Sequence, residues 1–568
     1  MRKLLILSFV LFLFSCQNEI ETDRITTNLE LNPKGLNPIL YLAKGDNLVN
    51  DLLFLPLAGH NPVSLEYEPI LAKSISSPIP SPTEEYPDAI KIDVELRDEA
   101  RWDDGSEVTG EDIIFTLKTI FLPSINSDKY RAFSKDIFDA TLNPDKPKAV
   151  SIYLKQLSIN SVELATGYPI INKDFYDKKG ILNKVSLPDL MNEEAFAQRS
   201  DNEALEEYGA LFNSTTYSVD SISGCGAYKL KEWLSNQYVI LEKKEGFWGE
   251  GIDFLEAKPN EIQMIITPDK AAAFTKLKAG IYDVYEGLTT TQWNELRASE
   301  TYSSQYNFES IQLQRFYFFI LNSRNKKMSD QAVRKALAHL VDLDSIIAVA
   351  ENGEGERLNS PFLSIDKYST LEDIPFEKEK ARQILSAAGW NDSNDNDILD
   401  KEIDGELVEL TLNCISTGSQ LGQILIGVLT QNAKEVGIQI ETDNVDRSIY
   451  QKRLKSHEFD LTLSVKGLSL MPYDPYNLFH TDNTNPGEPN YGNFGNEESD
   501  ALIEEIRSTL DPEKRTELFL KLERILQEDQ SYIFLYSPKN KMAIKKNVTG
   551  VTTVKLPGFD LATFEKIK

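Results

Sequence analysis

From about residue 28 onward, stretches with the two-residue period of a strand and stretches with the 3.6-residue period of a helix succeed one another to the C terminus. Alternation of this kind points to α/β architecture. At 568 residues the chain is too long for a single core. With roughly 100–200 residues per domain, it should divide into about three lobes. No self-similarity occurs at the periods of solenoids or propellers. Helices are predicted over Val333–Val341, capped by Ser329 or Asp330, and over Phe376–Trp390, ended at Gly389. Another is predicted from about Gln420 to Val436, stopping at Gly437, with a strand at Ile438 and Ile440 after it. A fourth starts at Asp511 with Pro512 at its first position and leads into a strand at Tyr532–Tyr536. Residues 185–215 read as a loop-rich acidic insertion, and Ser77–Pro87 as a turn-rich connector.

The formal net charge is −29, from 89 acidic against 60 basic residues, which excludes a phosphate-neutralising nucleic-acid binder. Hydrophobic content of 41% argues against wholesale disorder.

Arg2 and Lys3 precede a run from Leu4 to Phe14 that is apolar except for Ser8. A bilayer span needs about 20 such residues, so this run suits a signal peptide rather than a membrane helix. It ends in Leu13-Phe14-Ser15-Cys16, which is similar to a bacterial lipobox and makes Cys16 the expected lipidation site. Residues 1–16 are then the leader, and polar residues 17–27 a tether. Cys225 and Cys414 read as small buried hydrophobes.

A search for catalytic chemistry finds little. His60, His339, His457 and His480 lack partners at metal-ligand spacing, and there is no Gly-x-Ser-x-Gly elbow or phosphate-cradling Gly-Lys-Ser/Thr loop. Residues 392–400 place oxygen-bearing side chains at alternate positions. Asp392, Asn394, Asn396 and Asp400 are therefore candidate ligands for a structural calcium, with a solvated Asx-turn loop as the alternative. No other cofactor is expected.

The segment Glu95–Ile120, ELRDEARWDDGSEVTGEDIIFTLKTI, carries Leu96-Arg97-Asp98, Trp102, Asp104-Gly105, Thr109, Glu111-Asp112 and Phe115. It resembles the "LRdG…kWhDGkplTAeDVvfS" hallmark of the extracellular solute-binding proteins of family 5, whose members bind dipeptides, oligopeptides or nickel for ABC importers. Locally it reads as a turn at Asp104-Gly105 and a helix capped by Thr109 with Asp112 as its N3 acid. Further blocks follow in family order. GCGAYKLKEWLSNQYVILEKKEGFWG has Cys225 and Ala227 where the family has a small residue and proline. Asn322 holds the "fNt" position, and residues 429–463 and 490–550 match later blocks.

The resemblance implies an α/β, two-lobed periplasmic-binding-protein fold of class II type with an extra inserted subdomain and a hinged ligand cleft. Lobe I is expected from 28–60, 216–298 and 533–568, the subdomain from 61–215, and lobe II from 299–532. The function implied is that of a substrate-binding lipoprotein of the cell envelope, periplasmic or facing the cell surface. It would be a monomer that captures a small solute, a peptide first among them, and delivers it to an ABC transporter permease. It would meet the membrane only through its lipid anchor. The alternatives are sensing or surface capture by the same fold, or a periplasmic hydrolase. The ligand-binding residues implied are Tyr41, Leu42, Tyr130, Asn322, Gly467, Leu468, Ser469, Met471, Tyr473 and Asp474. Peptide-binding members commonly place an Asp where this chain has Met471. The ligand's end near this strand should then be uncharged or blocked, or its ammonium met by Asp474.

If Cys16 is acylated, Cys16→Ala should abolish stable membrane residence, since each buried methylene contributes about 0.8 kcal/mol. Unchanged membrane fractionation of the variant would refute this.

Overall fold

A computed structural model describes residues 23–40, 44–219, 221–362, 368–468, 470, 472–554 and 557–567. Cys16, Tyr41, Leu42, Ser469 and Met471 lie outside the described residues.

Two large sheets and one smaller sheet organise the chain. The first has seven strands in the order Tyr306–Gln312, Lys539–Lys545, Val284–Tyr285, Arg24–Leu29, Glu261–Ile266, Tyr238–Lys243 and Tyr228–Leu234. The second has six: Glu356–Arg357, Tyr532–Ser537, Arg315–Leu321, Leu461–Gly467, Thr411–Ser416 and Gln439–Asn444. The third is antiparallel, built from Ala72–Ile75, Ile90–Leu96, Lys146–Leu154 and Ile137–Asn143, with Ile79–Pro80 paired to the Ile90–Leu96 strand. That last pairing draws part of the Ser77–Pro87 connector into the sheet.

Sequence pattern accounts for the layers. Ile90–Leu96 alternates buried and half-buried residues, as a strand with one face on a core does. Tyr532–Ser537, YIFLYS, is buried at every position because helices and side chains cover both faces of the six-stranded sheet. One of its faces carries Phe319, Leu321 and Leu412, and the other Phe316, Phe318 and Ile320. The seven-stranded sheet and the antiparallel subdomain share one core, in which Ile25, Ile262 and Met264 join Trp102, Phe115 and Tyr176.

The predicted helices form. Gln331–Leu340 is capped by Asp330, whose carboxylate accepts the Ala332 N–H at 3.0 Å and also the Trp390 indole N–H at 3.0 Å. Lys378–Ala387 ends before Gly389, which takes φ +91°. Gln420–Lys434 is followed by Gly437 at φ +84°, and Pro512–Asp529 is capped by Asp511. Residues 185–215 differ from expectation. They form helices at Leu187–Met191, Glu193–Ala197 and Asn202–Phe212 that bury Leu187, Leu190, Leu205, Tyr208 and Phe212.

The hallmark segment works as a fastener. Asp112 accepts the Thr109 N–H and the Lys173 N–H, each at 2.8 Å, so the helix cap also holds the start of the short helix Lys173–Tyr176, 61 residues away. Asp103 accepts the Gly224 N–H at 2.8 Å and pairs with Lys244. Gly224 and Gly226 pass so close to the Leu53 carbonyl that a Cβ at either would lie within 2.9 Å of it, which explains the glycines flanking Cys225. Cys225 and Cys414 are buried free thiols, and burial pushes both pKa values up to about 12.

The chain passes between the two large sheets at Gln312–Arg315 and again at Ser537–Lys539. These crossings displace the expected boundaries at 298 and 532. Tyr306–Gln312 belongs to the first sheet and Tyr532–Ser537 to the second. Beside the crossings, Lys541 of the first sheet pairs at 2.8 Å with Glu351 at the end of a helix in the second lobe. Both side chains are almost fully buried, and the Tyr536 hydroxyl donates to the same carboxylate at 3.4 Å. Breaking such a pair strands one charge in a low-dielectric site. Lys541→Met is expected to destabilise the protein by about 3–5 kcal/mol, lowering Tm. The double variant Lys541→Met/Glu351→Leu should recover most of that loss. A single variant melting like the wild type would show that the pair contributes nothing.

Candidate functional site

The two crossings are bonded to each other. The Leu313 N–H donates to the Pro538 carbonyl at 3.1 Å, and the Ser537 hydroxyl donates to the Leu313 carbonyl at 2.9 Å. The strand Leu461–Gly467 runs to this point, with Gly467 opposite Arg315 and the Leu468 N–H donating to the Gln314 carbonyl at 2.8 Å. Strands Thr411–Ser416 and Gln439–Asn444 run parallel to it, so their carboxyl ends lie at the same end of the sheet. Ligands of open α/β sheets bind outside the carboxyl ends of strands. Lys466, Gly467 and Leu468 therefore form the floor of the candidate cleft, next to the junction of the lobes.

The residues expected to hold ligand separate into two groups. Gly467 is exposed, with open space where a Cβ would stand, and Leu468 packs half-buried on the Phe316 face. Tyr473 packs edge-on against Phe362, with ring centroids 5.6 Å apart, and burial pushes its phenol pKa far up. Tyr130, on the short helix Asp128–Phe133, packs against the shared core of the first lobe and subdomain. Its phenol pKa is raised by burial first and by the charge of Asp51 second. Asp51 lies on the helix Lys44–Leu53 that follows residues 41–43. Gly467 and Leu468 thus lie at the crossings, Tyr473 packs into the second lobe's core beside Phe362, and Tyr130 stands on the opposite lobe.

Asn322 and Asp474 are structural. Asn322 is fully buried, and its amide donates to the His457 and Phe459 carbonyls at 3.0 Å each. Its Oδ1 accepts the Arg324 N–H at 3.3 Å, so both amide hydrogens and one oxygen lone pair are engaged within the fold. Asp474 accepts the Tyr476 N–H at 3.0 Å and the Arg507 Nε–H at 3.1 Å, so its charge is already answered. Arg507 also lies over the Tyr476 ring, 4.4 Å from its centroid, which holds the loop to the helix Glu497–Ser508.

The acidic loop likewise turns on itself. Asp392 accepts the Asn396 and Asp397 N–H groups at 3.1 and 2.9 Å, while Asp400 accepts from the Ser393 N–H and hydroxyl. The amides of Asn394 and Asn396 reach Glu409 instead. Among the described residues no group of three or more His, Cys, Asp or Glu side chains is placed to hold a metal ion.

Sequence reasoning missed two features. Ile159, from the loop after the subdomain's long strand, is 7% exposed and belongs to the second lobe's core with Phe316 and Leu518. Its N–H donates to the Arg507 carbonyl at 2.8 Å, so the subdomain touches both lobes. Lys466 stands opposite Phe316 on the floor strand, half-buried, with no hydrogen-bond or ion-pair partner among the described residues. Burial alone lowers its ammonium pKa. The available signal was a lone cation at a strand end in an acidic chain.

Residues 66–490 match the bacterial extracellular solute-binding proteins, family 5 Middle. The chain is 26% identical over 472 residues to the oligopeptide-binding protein AppA of Bacillus subtilis, covering 81% of this chain and 78% of that protein. The structure of AppA in complex with a nonapeptide superposes with a TM-score of 0.67 at 21% identity, over 96% of this chain and all of that one. NikA from Brucella suis in complex with Fe(III)-EDTA superposes with a TM-score of 0.73 at 19% identity, over 96% and 99%. With the family matched across most of its length, and with two lobes joined at a cleft floor, the chain belongs to the bacterial extracellular solute-binding proteins of family 5.

Proposed function

We propose that this solute-binding protein captures a peptide between its two lobes and delivers it to the permease of an ABC importer. It would act as a monomer held to the envelope by a lipid on Cys16. The observation that carries the reading is the pair of adjacent crossings at 312–315 and 537–539 with the strand end at Lys466, Gly467 and Leu468 beside them. Two short strands of chain joining two separately cored lobes make a hinge, and a ligand bridging the lobes favours the closed arrangement by its differential affinity. The name of AppA, an oligopeptide-binding protein, favours peptide over other solutes. The antiparallel subdomain shares the first lobe's core and moves with it.

Randomised peptide pools provide the test. A bound peptide at 100 times its Kd should stabilise the protein by about 2.7 kcal/mol, raising Tm, and should shrink the radius of gyration in small-angle scattering. A melting curve and a scattering curve both unmoved by pools of tri- to nonapeptides would overturn the peptide reading.

A further inference from the structure

Several buried or half-buried lysines elsewhere in this molecule meet a carboxylate, and half-buried Lys118 donates to the Leu182 carbonyl at 3.1 Å. Lys541 meets Glu351 and Lys545 meets Asp283, each at 2.9 Å or less, and Lys244 pairs with Asp103. Lys466 is different. It occupies the last-but-one position of the floor strand, with Phe316 opposite and Leu468 two residues on along the same face. Although the chain has 89 acidic residues, none among those described pairs with it. A partly desolvated ammonium without a counter-charge is costly. Here it stands at the carboxyl end of a strand, one residue from the exposed Gly467 and beside the lobe crossing, where a solute would lie. The acid expected to draw a ligand's ammonium to this floor, Asp474, is held by Arg507. The floor therefore offers a positive charge rather than a negative one.

We propose that the Lys466 ammonium receives a carboxylate of the bound solute, so that the cleft floor reads the ligand's anionic end. The proposal rests on the peptide reading for the source of that carboxylate, which is either the C terminus or an acidic side chain. A charge-assisted hydrogen bond of this kind is strong and directional. The charge, rather than the fork geometry of an arginine, carries the recognition, so Lys466→Arg should retain much of it.

The experiment uses the full chain and its Lys466→Met and Lys466→Arg variants, with randomised pentapeptide pools made as free acids and as C-terminal amides. Each pool is prepared with and without Asp and Glu, and binding is read by native mass spectrometry and calorimetry. The wild type should prefer the carboxylate-bearing pool by about 10- to 100-fold. Lys466→Met should erase that preference, so that it binds the carboxylate-bearing and uncharged pools alike, and Lys466→Arg should restore it. Loss of preference on amidation identifies the C terminus as the source, and loss on removing Asp and Glu identifies a side chain. Indifference of the wild type both to C-terminal amidation and to removal of Asp and Glu, or an unchanged preference in Lys466→Met, overturns the proposal and leaves Lys466 as a lysine extending past Phe316 to solvent. If no pool binds, the peptide reading falls. The molecule that co-purifies with the protein then decides for Lys466: one lacking an anionic group overturns the proposal, and an anionic one whose retention Lys466→Met abolishes supports it.

Discussion

The bonded pair of crossings, Leu313 to Pro538 and Ser537 back to Leu313, is the constraint around which the molecule is arranged. Each crossing alone is a few residues of extended chain with little resistance to bending. Tied together they fix where the two large sheets can approach, and they set the carboxyl end of Leu461–Gly467 at that place through the Leu468 to Gln314 bond. The buried Lys541–Glu351 pair lies alongside and adds a specific registry between the lobes. Such pairs contribute less to net stability than their short distances suggest, because desolvation offsets much of the attraction. Their effect is on which arrangement is adopted.

The most recognisable stretches of sequence hold the fold together rather than hold ligand. Asp112 bonds two backbone amides, Asp103 reaches Gly224, and Asn322 spends its amide on two carbonyls of the loop before the floor strand. Buried polar groups of this kind must be satisfied, and replacing one partner leaves the other unpaired, so the side-chain types tolerated are few. Ligand-facing positions are under no such demand. That is why family resemblance locates the cleft more readily than it identifies what the cleft holds.

Helices were legible where their signals are local. Asp330 and Asp511 cap the helices predicted for them, and Gly389 and Gly437 adopt the left-handed backbone that ends a helix. Residues 185–215 were less legible, because two of their three helices, Leu187–Met191 and Glu193–Ala197, are five residues long and too short to sustain the periodicity that a longer window detects. At the site, sequence placed the floor segment but not the allegiance of its residues. Asp474 looks available until Arg507 is brought back from 33 residues downstream, and Asn322 looks available until residues 457 and 459 arrive beside it. That Lys466 has no partner among the described residues is likewise a fact about what packs around it.

Ile159 bears on the direction of motion. Its side chain is seated in the core of the lobe to which it does not belong, and its amide is bonded to Arg507 of that lobe. Rotation of one lobe against the other leaves this contact intact only about an axis passing near both the crossings and Ile159. Rotation about any other axis draws an isoleucine out of an apolar core, a cost of about 1.5–3 kcal/mol. One aliphatic side chain thus narrows a two-strand joint, free to twist as well as swing, toward a single axis.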